Sequence, residues 1–149
     1  MYKRQIKKGD PYQFQCEETA QSIADALNIE DLDWQICYQS RVGPMKWIGP
    51  SLDQALDKAA HDKKAVVLFP HAFTQEHVET LVELDIEYKE LAETMDMKGY
   101  YRAETVGIHK AFIAGLKSLV LGHKDKSGTF AEGFKRPCPS HFTRCCMEG

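Results

Sequence analysis

Residues 64–90 read KAVVLFPHAFTQEHVETLVELDIEYKE, and the fold turns on how that stretch divides. Lys64–Pro70 is a short continuous apolar run closed by proline, the mark of a strand buried on both faces in a parallel sheet. From about Gln75 to Met95 the apolar and acidic residues recur at helical intervals. The same alternation extends in both directions. QCEETAQSIADALNI (15–29) sets Ala20, Ile23, Ala24 and Leu27 at helical spacing. DWQICYQSR (33–41) alternates and is rich in β-formers, so it reads as a strand leading into the Gly- and Pro-punctuated loop 42–50. SLDQALDKAAHD (51–62) starts on an N-capping serine and returns to helix. GYYRAET (99–105) reads as a strand and IHKAFIAGLKSLVLGHK (108–124) as a helix. Helices alternating with strands predict an α/β protein, a three-layer sandwich with a parallel sheet in one Rossmann-like domain over residues 1–123. Ligands in such sheets bind beyond the carboxyl ends of the strands, where segments 40–50 and 70–77 fall. Residues 124–149 lose periodicity and are expected to form an irregular, cysteine-containing tail.

The composition is that of one ordinary globular domain: 149 residues, 43% hydrophobic and 28% charged. No apolar run approaches the roughly 18–20 residues that cross a bilayer, and MYKRQIKKGD lacks the apolar middle of a signal peptide. A cytoplasmic location is expected. A net charge of −3 argues against general nucleic-acid binding. The basic cluster Lys3, Arg4, Lys7 and Lys8 could still meet an anionic surface, a route to peripheral membrane contact. There is no internal repeat and no glycine-rich phosphate loop. The five cysteines are an odd number in a chain without a secretion signal, so reduced thiols are expected. Cys16 and Cys37 read as core thiols, whereas Cys138, Cys145 and Cys146 cluster in RPCPSHFTRCCMEG.

Glu79, Glu83 and Glu87 repeat every four residues and share one helix face. Each like-charge pair at that spacing costs about 0.2–0.5 kcal/mol unless something cationic sits against it. His77 precedes the row and could bind a borderline metal or relay a proton near neutral pH. Two residues apart on a regular helix, His77 and Glu79 diverge; they converge only if the helix starts near Glu76 or carries a π-distortion there. With rungs roughly 6 Å apart, the carboxylates suit passing a proton or a hydrated divalent cation along a line. A solvent-facing acidic helix is the plain alternative. Against it, Val78, Leu81, Val82 and Leu84 leave no single apolar stripe, so more than one face is expected to be covered. His61, His109 and His123 read as surface residues, His71 is undecided, and Trp47 and Phe73 suit either core or the wall of a flat ligand's site.

These residues also carry a resemblance. GDPYQFQ (9–15), QSRVGPMKWIGP (39–50) and FPHAFTQEHVETLVELDIEY (69–88), continuous in order and spacing from about Gln5 to Tyr101, resemble ferrochelatases, which insert ferrous iron into protoporphyrin IX to make protohaem. The similarity is to the carboxyl-terminal half of an enzyme built of two similar α/β chelatase-type domains with the porphyrin cleft between them. It implies that Glu79 is the active-site glutamate beside the macrocycle and His77 a neighbour tied to proton handling. Glu83 and Glu87 would continue a metal-handling acidic ladder along a π-distorted helix. Tyr12, Val42, Trp47 and Phe73 would lie near the porphyrin, and Glu76 stands where the family has an acid. The row then tolerates its own repulsion because protons or metal ions occupy it. Iron enters as substrate, held by oxygen and imidazole rather than caged.

The family also carries a histidine in a Ser-Ala-His stretch about ten residues before the Gly-Asp-Pro-Tyr found here at Gly9–Tyr12, which counts back to just before Met1. The expectation is an amino-terminally truncated ferrochelatase, inactive as an isolated chain, that needs a separate amino-terminal half or self-associates through exposed apolar surface. The alternative is a catalytically inactive remnant or a weak metal- or porphyrin-binding domain. Some ferrochelatases hold a two-iron two-sulfur cluster through three carboxyl-terminal cysteines. By that resemblance Cys138, Cys145 and Cys146 could supply three of its ligands, although an adjacent pair constrains the geometry.

Overall fold

The computed structural model describes residues 1–41, 43–129 and 135–147. In chain order the elements are α1 (Lys3–Ile6), α2 (Tyr12–Leu27), α3 (Leu52–His61), β1 (Val66–Leu68), a π-helix (Glu79–Glu87), α4 (Tyr88–Thr94), β2 (Tyr100–Arg102) and α5 (Lys110–His123). β1 and β2 pair in parallel, Val66 opposite Tyr100 and Leu68 opposite Arg102. The α/β class and the parallel pairing are those read from the sequence. Among the described residues the sheet is two-stranded.

The core explains which face of that sheet matters. Leu52 and Leu56 of α3 meet Leu84 of the π-helix, with Val66, Leu68, Tyr100 and Cys37 packed around them. α3 is placed there by its cap: the Ser51 side chain accepts from the Gln54 amide while the Gln54 side chain reaches back to Ser51. Val66 and Leu68 face this cluster, and the residue between them points the other way. Val67 is 72% exposed and Tyr101 62%, so the strand expected to be covered on both faces is covered on one. Period-two alternation in a two-stranded sheet with a single packed layer produces that outcome.

The strand predicted over 33–41 does not form a ladder. Its regular pairing is reduced to one bridge, Tyr38 with Ser51. Ser40 adopts φ +55, outside the extended region, and its amide donates to a side chain, Glu83 Oε1, at 2.9 Å instead of to a neighbouring strand.

Two peripheral elements complete the description. α5 has no buried residue, and Ile113, Leu116, Leu119, Val120 and Leu121 are all exposed. Among the described residues no helix is long and apolar enough to cross a membrane. The described tail residues carry no helix or strand, but they are not loose. Arg144 N–H donates to the Gly9 carbonyl at 3.0 Å, and the Phe142 ring lies 5.3 Å from Phe14. Gly9 sits at φ +84, and a Cβ there would come within 2.8 Å of the Thr143 nitrogen. Only glycine serves at that crossing.

Candidate functional site

The segment after β1 is fixed by Glu76. Its carboxylate accepts from the Thr105 amide at 2.9 Å, from the Thr80 hydroxyl at 2.5 Å and from Arg102 Nη1 at 3.1 Å. Those donors, the Thr105 amide foremost, hold its pKa down to about 2. The Arg102 side chain, 9% exposed, grips Asp85 through Nε at 2.5 Å and Nη2 at 2.6 Å. This bidentate pair, with Glu76 as second partner, pushes the guanidinium pKa up. One cation on β2 thus fastens both the approach to the π-helix and its middle. Tyr100 adds a third tie, its hydroxyl donating to the Leu84 carbonyl at 2.7 Å.

The helix begins at Val78 and runs as π-helix from Glu79 to Glu87, later than the start near Glu76 expected from sequence. Glu76 is engaged as an acceptor, and the His77 amide donates to Thr80 Oγ1 at 2.9 Å. His77 therefore stands just outside the helix, its ring 5.8 Å from that of Phe73, while its carbonyl receives the amides of Thr80 and Leu81. A non-helical His77 leading into a wide-wound Glu79 removes the constraint that would separate them on a regular helix.

Along the row, Glu79 and Glu83 are half-buried and Glu87 is exposed. Glu83 is held by the Gln39–Ser40 turn: Ser40 N–H at 2.9 Å and Ser40 Oγ at 2.5 Å donate to it, and Gln39 Nε2 reaches it at 3.2 Å. Gln39 Nε2 also donates to the Glu79 carbonyl at 2.9 Å. The turn that opens the loop to Trp47 is thereby anchored on the acidic helix. Four residues the sequence reading did not single out, Gln39, Ser40, Arg102 and Thr80, do this holding. Arg102 left a signal, since a charge inside a strand needs a partner.

Of the expected wall residues, Phe73 lies beside His77, and Trp47 packs against Tyr2 with the rings tilted by 51° and their centroids 4.5 Å apart. Tyr12 opens α2 and is 40% exposed. Val42 lies outside the described residues. His61 and His109 are exposed as expected, and His71 is half-buried, its ring pKa lowered by burial.

The cysteines divide as burial and position suggest. Cys16 is buried, and Cys37 packs on the core with its thiol pushed up to about 11 by burial. Cys138 and Cys145 are buried, but Cys146 faces out. Among the described residues no three His, Cys, Asp or Glu side chains gather as a metal site.

A sequence model of the ferrochelatase family matches residues 1–124, a span that includes Glu79 and its neighbours and stops short of Cys138. The ferrochelatase of Pelagibacter ubique (strain HTCC1062) is 47% identical over 145 residues, 95% of this chain and 42% of the relative. That of Rickettsia typhi (strain ATCC VR-144 / Wilmington) is 46% identical over 146 residues, 96% of this chain and 42% of the relative. The chain spans about 42% of the length of these curated relatives.

Proposed function

The chain belongs to the ferrochelatase family, and from that premise we propose that its π-helix and the loops fastened to it form the metal-delivering side of a site that inserts ferrous iron into protoporphyrin IX, yielding protohaem. The observation that carries this reading is a nine-residue π-helix bearing Glu79, Glu83 and Glu87. Such windings are rare and concentrate at functional sites. Insertion exchanges two pyrrole N–H protons for one dication, so the site needs bases near the ring and a path for charge. His77 and Glu79 are the proton acceptors. Glu79, Glu83 and Glu87 carry iron or protons toward them, with Glu83 fixed in place by Gln39 and Ser40. Phe73, Trp47, Tyr12 and Val42 wall the porphyrin, and the distortion that exposes its nitrogen lone pairs comes from that contact.

The reaction is proposed for these residues acting with the further chain length that the relatives possess. In this reading residues 1–123 are the chelatase domain and 124–149 an accessory tail. Lys3, Arg4, Lys7 and Lys8, all exposed, offer a weak electrostatic contact to an anionic membrane surface.

The test is porphyrin metallation, followed by absorbance, with the 149-residue chain alone and joined to the unmatched part of the Pelagibacter relative. The joined protein is expected to metallate protoporphyrin, and the chain alone to stay at the uncatalysed rate. Glu79→Gln in the joined protein should slow turnover by about 10²–10⁴-fold. Turnover unchanged by Glu79→Gln would sink the assignment.

A further inference from the structure

One continuous helix carries two windings, and the change falls where outside groups stop holding its backbone. Near its start the Leu81 N–H bonds to the His77 carbonyl, four residues back. At the far end of the wide part the Tyr88 N–H bonds to the Glu83 carbonyl, five back. From Glu79 to Glu87 the helix is wide, and from Tyr88 to Thr94 it is ordinary α-helix. Wide winding is found mostly as single turns inside α-helices, so a nine-residue run needs an external hold. Three groups supply it. Gln39 Nε2 donates to the Glu79 carbonyl at 2.9 Å, the Tyr100 hydroxyl to the Leu84 carbonyl at 2.7 Å, and Arg102 to both Asp85 oxygens at 2.5 and 2.6 Å. Beyond the wide part, the Tyr88 hydroxyl meets Asp53 at 3.2 Å, a tie through the tip of a long side chain that leaves the backbone free to wind as α-helix.

Of these ties Arg102 has the longest span. Its planar guanidinium takes Asp85 through Nε and Nη2, while Nη1 donates to Glu76 Oε1 at 3.1 Å and to the Ala103 carbonyl at 3.2 Å. The side chain is 9% exposed, so dropping a partner would leave a nearly buried charge uncompensated. One rigid fork thereby fixes the separation between Glu76, next to His77, and Asp85, in the body of the π-helix. Rewinding that helix to the α form would tighten each turn and carry Asp85 round the axis, away from the fork. We infer that Arg102 is a positioning residue for the insertion reaction: without bonding to either His77 or Glu79, it keeps the two converged by holding the π winding between Glu76 and Asp85. The inference rests on the function proposed above and names the residue that prepares its proton acceptors. The fork matters as much as the charge. A lysine ammonium is a point charge on a flexible stem and cannot hold both Asp85 oxygens and Glu76 in one fixed geometry.

The experiment has two arms. Couplings across hydrogen bonds, from amide nitrogen to carbonyl carbon, are read by NMR on the 149-residue protein and report the winding without any turnover. The wild type should show Tyr88 coupled to Glu83, and Arg102→Lys should show it coupled to Leu84, four residues back. Asp85→Asn leaves Arg102 its bond to Glu76 and disturbs the fold less; it should move the same coupling even where the lysine variant does not fold. In the second arm, on the protein joined to the unmatched part of the Pelagibacter relative, each variant should lower kcat for metallation by about 10–10²-fold and leave KM for protoporphyrin within about twofold. Leu56→Ala is the control. Leu56 is 1% exposed in α3 and makes none of the ties, so its loss should loosen the fold yet keep both the Tyr88–Glu83 coupling and kcat below the melting temperature. Tyr88 still coupled to Glu83 in both clamp variants, a kcat loss that Leu56→Ala reproduces, or a rise in KM with kcat unchanged would each overturn the inference. Turnover that Glu79→Gln leaves unchanged sinks the proposed function instead, and the couplings then still decide whether Arg102 sets the winding.

Discussion

The π-helix and α5 both read as helices from their residue spacing, yet the protein treats them in opposite ways. The π-helix departs from regular winding and is tied down: Thr80 is 0% and Leu84 2% exposed, and Arg102, Tyr100, Ser40 and Gln39 all bond to it. α5 is regularly wound and richer in apolar residues, and buries none of them. Apolar content therefore does not decide which helix is held. What decides it here is whether neighbouring elements carry polar groups matched to the helix, and those groups lie far away in sequence, at 39–40 and 100–105.

The contrast can be broken or sharpened by substitution. Leu84→Ala should have the largest effect, about 2–5 kcal/mol in urea unfolding, because it opens a cavity between α3 and the sheet. Arg102→Met comes next. Breaking a fully buried pair costs about 3–5 kcal/mol, but Asp85 and Glu76 remain roughly a third exposed, so about 2 kcal/mol is expected. Ser40→Ala removes one charge-assisted hydroxyl bond to Glu83 and should cost about 1.5 kcal/mol, with loss of protection at the Gln39–Ser40 turn in hydrogen exchange.

Acid provides a gentler probe. Glu76 has a folded pKa of about 2 against an ordinary glutamate value near about 4.3. A depressed carboxylate contributes stability that is complete above the ordinary value and is lost as pH falls toward the folded one. Melting temperature should therefore drop between those two pH values, and Glu76→Gln should flatten that part of the profile. The smallest effect belongs to α5: Leu119→Ser, at a residue 54% exposed, should change stability by less than about 0.5 kcal/mol. A cost comparable to that of Leu84→Ala would erase the distinction between the two helices.

How much of this was legible beforehand follows from what each feature depends on. The N-cap at Ser51 and the strand at Val66–Leu68 are local, and spacing reveals them. A π-distortion could be anticipated from the placing of His77 and Glu79, but its length could not, since nine residues of wide winding depend on ties from β2 and the Gln39–Ser40 turn. The same turn cost the reading its strand over 33–41: alternation was present, but Ser40 leaves extended geometry to grip Glu83. Val67 misled because a continuous apolar run does not say how many layers cover it.

The crossing of Gly9 with Thr143 has a bearing on synthesis. The bonds there join Gly9 to Arg144 at 3.0 Å and Lys8 to Thr143 at 3.5 Å, contacts spanning nearly the whole chain. Such long-range closures carry the highest entropic cost and form last. As the nascent chain leaves the ribosome, α2 and the turn before it can form from their own residues, Gly9 N–H bonding to the Ile6 carbonyl at 2.9 Å, but their contact with the tail waits until residue 144 has emerged. The stretch around Gly9 is thus completed by residues more than a hundred positions further on, around residue 144.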